Sequence, residues 1–166
     1  MGLRNAIHDM GAMKLLLTEA EREARALGEE SPGPEHLLLA ALAAPDASGR
    51  DALAASNITV EDVRRSLAET RSAALRSVGI DTDAIPEVSP GPAPRGPYRA
   101  TGSANDVFQR AIALAKSARP KKLRTAHVVI AVAELEHGTA ARALRNLGVA
   151  GPALVASAHA AVLATP

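Results

Sequence analysis

The chain has 166 residues, a formal net charge of +1 and no cysteine. A chain of this size buries roughly 70% of its unfolded surface without a staple, and the missing thiols exclude a disulfide framework, a thiol nucleophile and any thiolate metal site. One Phe, one Tyr and no Trp leave no stacking platform for single strands, and the interspersed charges make no basic stripe, so nucleic acid is not an expected partner.

The start, Met1 to Ala6, carries no apolar signal region and lacks the Ser or Thr at position 6 of a myristoylation pattern. No apolar run approaches the ~20 residues of a membrane span. A cytoplasmic protein without membrane contact is expected.

Residues 1–9 read as an N-terminal extension. A first helix is predicted over 10–27, where Met13, Leu16, Leu17, Ala20, Ala24 and Leu27 recur at spacings of three and four among charged residues. Gly28 ends it. Pro34 suits the first turn of a second helix, and Glu35 behind it favours the positive end of the helix dipole. This helix ends near Ala44-Pro45. A third helix covers about 49–55 and Asn57 closes it. Thr59 caps a fourth, with Asp62 completing a capping box and Val60, Val63 and Leu67 facing inward.

From Arg71 to Ala100 the composition changes. Pro86, Pro90, Pro92, Pro94 and Pro97 arrive with Gly91 and Gly96, a pattern that cannot continue a helix. Residues 84–99 are predicted to be a partly extended, mobile linker. Helix five follows over about 103–118, with Val107, Phe108, Ala111, Leu114 and Ala115 inward. A basic loop, 119–122, leads to Thr125, which opens helix six. Helix seven spans about 139–147 with Gly148 as its stop, and helix eight about 152–163. No stretch alternates with period two, so no sheet is predicted.

The second half repeats the first. Pro34-Glu35-His36-Leu37-Leu38-Leu39 and Thr125-Ala126-His127-Val128-Val129-Ile130 stand 91 residues apart. The same ungapped offset places Ala20 on Ala111, Ala24 on Ala115, Leu53 on Leu144 and Ile58 on Val149. This is an internal duplication. It predicts an all-α fold of two four-helix repeats, 10–70 and 101–166, joined by the Pro/Gly-rich linker 71–100.

No phosphate-binding Gly-Lys loop, nucleophile elbow or His-Glu-x-x-His motif is present. No catalytic residue, cofactor or metal is therefore predicted, and an enzyme is not expected. His36 and His127 could serve as ligands or bases. Their recurrence at one point of the repeat favours helix-start histidines whose ring nitrogen bonds the backbone. His8, His137 and His159 share no pattern and are expected in solvent. Lys121, Lys122 and Arg124 could draw an anion to the start of helix six; a solvated loop is the favoured reading.

Ala24-Arg25-Ala26-Leu27-Gly28 and Gly33-Pro34-Glu35-His36-Leu37-Leu38-Leu39, with Arg142 to Val149 as a third-helix match, resemble the N-terminal repeat domain of ClpC- and ClpA-type protease unfoldases. The resemblance covers nearly the whole chain outside the linker and the first nine residues. It implies two repeats related by pseudo-twofold symmetry, in a domain that docks adaptors and substrates for an ATPase ring. Here it would be free-standing, without the ring. Some relatives hold phosphoarginine in each repeat, with a helix-two Glu on the guanidinium and a helix-one Thr on the phosphate. The corresponding positions are Glu35 and Met10 in the first repeat, and Ala126 and Thr101 in the second. Each copy keeps one half of the pair, so free phosphoarginine is expected to bind weakly.

Two readings follow. The first is a non-enzymatic protein- or peptide-binding module of regulated proteolysis or a chaperone system, with Clp protease components, substrates or adaptors as partners. The second is a protein that binds or sequesters a small natural product. In either case the ligand surface is expected where the repeats meet, near the starts of helices one, two, five and six, with Glu35 and Thr101 contributing polar contacts.

Overall fold

The computed structural model describes residues 2–84 and 98–164, with side chains from Asp9 onward. The predicted linker prolines Pro86 to Pro97 and the His8 side chain lie outside the described residues. Among those described there are eight α-helices and no strand. They are α1 (Gly2–Ala26), α2 (Pro34–Ala43), α3 (Ser48–Ala54), α4 (Val60–Ser77), α5 (Gly102–Ser117), α6 (Thr125–Ala133), α7 (Thr139–Asn146) and α8 (Gly151–Ala164), with a 3-10 turn at Thr82–Ala84.

The duplication is visible in the backbone. The starts of α2 and α6, of α3 and α7, and of α4 and α8 are each 91 residues apart, and so are the ends of α1 and α5. The stops match too. Asn57 and Gly148 occupy equivalent positions with φ of 54° and 74°. In both, the next residue donates back to a leucine carbonyl at 3.2 Å, Ile58 to Leu53 and Val149 to Leu144. This left-handed turn closes a helix, and Asn is the usual substitute when Gly is absent.

The two apolar helices form the centre. Every residue from His36 to Leu42 in α2, and from Thr125 to Val132 in α6, is buried. Such helices lack an exposed stripe because neighbours cover them all round. Helix α2 packs on α1 and α6, while α6 packs on α5, α8 and α3. The repeats interlock: α3 lies on α8 and α4 on α7. The core is made of Leu, Val, Ile and Ala, and the alanines Ala20, Ala40, Ala52, Ala111 and Ala158 are fully buried. Small side chains let helix axes approach closely.

Some boundaries differ from those read off the sequence. Helix α1 runs on from residue 10 back to Gly2, so Met10 is an interior helical residue and not a helix start. Helix α4 continues to Ser77, beyond Arg71. Leu27, predicted inward, is 42% exposed. The helix ends at Ala26, so the 3.6-residue period no longer directs the Leu27 side chain.

Candidate functional site

Both repeat-related histidines sit at the third residue of their helix and bond backward. His36 Nδ1 accepts the Gly33 N–H at 2.9 Å, and His127 Nδ1 accepts the Arg124 N–H at 3.0 Å. Each imidazole thus takes the part that Glu or Gln plays in a capping box. Both rings are buried. Burial, then the nearby His159 and Arg124, pushes the His127 pKa from 6.5 down to about 4. The exposed His137 and His159 lie on the surface.

The two helix starts are otherwise finished differently. At α6 the cap comes from the other repeat. The Asp46 carboxylate accepts the Thr125 N–H at 2.7 Å, and Ser48 Oγ accepts the Ala126 N–H at 3.1 Å. Thr125 Oγ1 in turn accepts the Gly49 N–H at 2.8 Å and donates to the Asp46 carbonyl at 3.1 Å. Burial raises the Asp46 pKa, but the bonds from Thr125 and Ser48 outweigh it and leave the group below its usual value. The anion that Lys121, Lys122 and Arg124 could attract to this helix is therefore already supplied from within. Lys121 is in solvent, as a loop side chain should be, whereas Arg124 is buried.

At α2 no such cap exists. Pro34 has no N–H to satisfy. The Glu35 carboxylate folds back over Gly33, so close that a β-carbon there would lie 2.8 Å from its oxygens. It stands 3.9 Å from His36 Nδ1, while Glu29 stands 3.8 Å from His36 Nε2. Arg71 of α4 pairs with Glu29 and also donates to the Leu27 carbonyl at 2.9 Å. Two carboxylates thus flank a buried ring whose Nε2 has no hydrogen-bond partner.

The ligating atoms of Glu29, Glu35 and His36 lie within 4.8 Å of one another. The donor set nonetheless does not suit a cation. His36 Nδ1 has its lone pair engaged by Gly33, so the ring proton resides on Nε2, and an N–H cannot ligate a metal. What the corner offers instead is one buried donor and two acceptor-only groups.

The second repeat completes this corner. Thr101 caps α5, its hydroxyl accepting the Ala104 N–H at 3.2 Å, and its own N–H donates to the Pro32 carbonyl at 3.0 Å. Thr101 therefore abuts the segment 32–35, which ends in Glu35. Counting along the sequence pairs Glu35 with Met10 and Ala126 with Thr101; the fold crosses them. At the opposite corner Leu123, the counterpart of Pro32, donates to the Asp9 side chain at 3.0 Å beside an exposed Met10. At that corner Met10 and Ala126 stand where the first corner has Thr101 and Glu35, and the acid present, Asp9, is engaged by the Leu123 N–H. Glu35 and Thr101 therefore belong to the Pro32 corner, and Met10 and Ala126 to the Leu123 corner. Glu29 and Arg71, which sequence reasoning missed, come from elements 42 residues apart and leave no local signature.

The chain matches the family model described as the Clp repeat (R) N-terminal domain over residues 12–147. Among solved structures it is similar to the N-terminal domain of the caseinolytic protease associated chaperone ClpD from Arabidopsis thaliana. The TM-score is 0.63 at 19% identity, covering 96% of this chain and 97% of that one. That likeness shows a common fold of two helical repeats. No curated protein sequence matches the chain.

Proposed function

The chain belongs to the family of Clp repeat N-terminal domains, and on that premise we propose that it is a non-enzymatic module that binds a protein or peptide partner. It would serve regulated proteolysis or a chaperone system as an adaptor, a decoy or a peptide binder in the cytoplasm. The observation that supports this reading most is the corner at Pro32, where the Thr101 N–H of the second repeat donates to the Pro32 carbonyl at 3.0 Å, three residues before Glu35 of the first. A carboxylate beside a hydroxyl-capped helix start accommodates a cationic group with an anionic or polar neighbour. No single helix among the described residues is long and apolar enough to cross a membrane.

The test is capture of partners from extract of the source cell by the intact protein, compared with a Glu35→Ala, Thr101→Ala double variant. Loss of the captured partner in the variant, with melting temperature retained, is expected. Capture that is identical with both proteins would move the functional surface away from this corner. Saturable binding of a small natural product at the same corner, with no protein captured, would replace the reading with the sequestering one.

A further inference from the structure

The duplication reveals a vacancy at the far end of α6. In the first repeat, the last carbonyls of α2 are covered from within. Arg50, half-buried on α3, donates to the Leu42 carbonyl at 2.8 Å and to the Ala44 carbonyl at 2.7 Å. A guanidinium at a helix C-terminus satisfies carbonyls that have no partner in the helix, and it complements the negative end of the dipole. The counterpart of Arg50, 91 residues on, is Ala141. The counterparts of Leu42 and Val60 are Ala133 and Gly151.

These three replacements open an apolar groove of about 570 Å³ between the end of α6, α7 and α8. Val149 and Val155 form part of its wall. Val155 replaces Arg64, which in the first repeat is tied up by Glu23 at 2.7 Å. Gly151 approaches the Ala133 carbonyl so closely that a β-carbon would stand 2.9 Å from it, so the backbone at the start of α8 packs on one side of that oxygen and no side chain does. Arg145 donates to the Glu136 carbonyl at 3.0 Å. The Ala133 and Leu135 carbonyls, the equivalents of the two that Arg50 covers, accept no hydrogen bond from any described residue.

We infer that this groove is a docking site for an arginine side chain of a partner peptide, flanked by an apolar residue. The guanidinium takes the place that Arg50 fills in the first repeat, and the apolar neighbour rests on Val149 and Val155. Equivalence with Arg50 favours this occupant: the helix end supplies carbonyl oxygens, Glu136 stands exposed at the rim, and the one cation among the described lining residues, Arg145, is already engaged with the Glu136 carbonyl. Planar, forked donors suit two carbonyls better than a lysine ammonium does. The inference rests on the binding-module reading, but it assigns a second surface that contains neither Glu35 nor Thr101.

The experiment is an NMR titration of the isotope-labelled full chain with N-acetyl-Leu-Arg-Leu-amide, and with the Leu-Gln-Leu peptide as control. It is run on the wild type and on the Glu35→Ala, Thr101→Ala variant, so that the Pro32 corner and this groove report separately. Saturable shifts of the Leu135, Glu136 and Gly151 amides are expected in both proteins, with the Gln peptide at least about tenfold weaker. Ala141→Arg supplies the guanidinium internally, so these shifts should vanish in that variant. If Ala141→Arg does not fold, the Arg-to-Gln comparison on the wild type decides alone. Equal affinity for both peptides, or no saturable shift at these amides, overturns the inference. Shifts of the same amides on raising protein concentration without peptide would overturn it as well, by making a second copy of the chain the occupant.

Discussion

Asp46 and Thr125, 79 residues apart, are joined by a hydrogen bond of 2.7 Å in which a carboxylate of the first repeat caps α6 of the second. Ser48 and Gly49 extend the same seam. Asp46→Ala removes the acceptor and leaves the Thr125 N–H without its partner, which should destabilise the fold by about 1–3 kcal/mol. Asp46→Asn keeps one acceptor oxygen and should lose less. Urea unfolding followed by far-UV circular dichroism measures both; a loss below about 0.3 kcal/mol for the alanine variant would mean the cap is dispensable.

Acid should weaken the fold in a defined window. Burial, with His159 and Arg124 behind it, holds His127 at about 4 in the folded state against 6.5 in an ordinary histidine. Between those values the unfolded chain binds the proton and the folded one does not, so stability is full above about pH 6.5 and falls as pH drops towards about 4. Asp46, held below its ordinary value by Thr125 and Ser48 against the opposing effect of burial, adds a further loss at lower pH, when its carboxylate protonates. His127→Gln keeps a side-chain acceptor for the Arg124 N–H and should flatten the upper part of this profile. A wild-type melting temperature that rises between about pH 7 and pH 5 would contradict the assignment.

Leu38 is 1% exposed at the centre of α2. Leu38→Ala should cost about 2–5 kcal/mol, the range for deleting a buried leucine side chain. Denaturant melts that differ from wild type by less than about 0.5 kcal/mol would place this residue outside the core.

Gly49 is tightly enclosed by α6. A β-carbon there would sit 3.1 Å from Thr125 Oγ1 and 3.3 Å from a Val129 methyl. Thr125 is held by its bonds to Gly49 and Asp46 and cannot retreat without breaking them. Gly49→Ala should therefore destabilise by about 1–2 kcal/mol, although alanine is the better helix former. A stabilised Gly49→Ala protein would show that helix propensity outweighs the clash.

Much of the fold was legible because its signals are local. Pro34, Thr125 and the Thr59–Asp62 box mark helix starts, and the box closes with the Asp62 N–H donating to Thr59 at 3.1 Å. Asn57 and Gly148 mark stops. The paired histidines each bond the backbone within one turn of helix, where donor and acceptor stand together. The misses are contacts between distant segments. Nothing near Asp46 announces that it caps α6, and nothing near Arg50 announces that it covers the end of α2. The approach of Thr101 to the Pro32 segment is a contact between repeats, which counting within each copy does not reveal.

The seal at α6 also decides which halves of such a protein can associate. Were two first repeats to pair with each other, each Asp46 would face Pro34, which has neither the N–H nor the hydroxyl of Thr125. Were two second repeats to pair, each Thr125 would face His137 where Asp46 now stands. Only the mixed pairing has a carboxylate opposite a donor-bearing helix start. The ancestral symmetry of the duplication has thus become a lock-and-key arrangement within one chain: homotypic association forfeits the cap, and the covalent order of the two copies is matched by a chemical preference for each other.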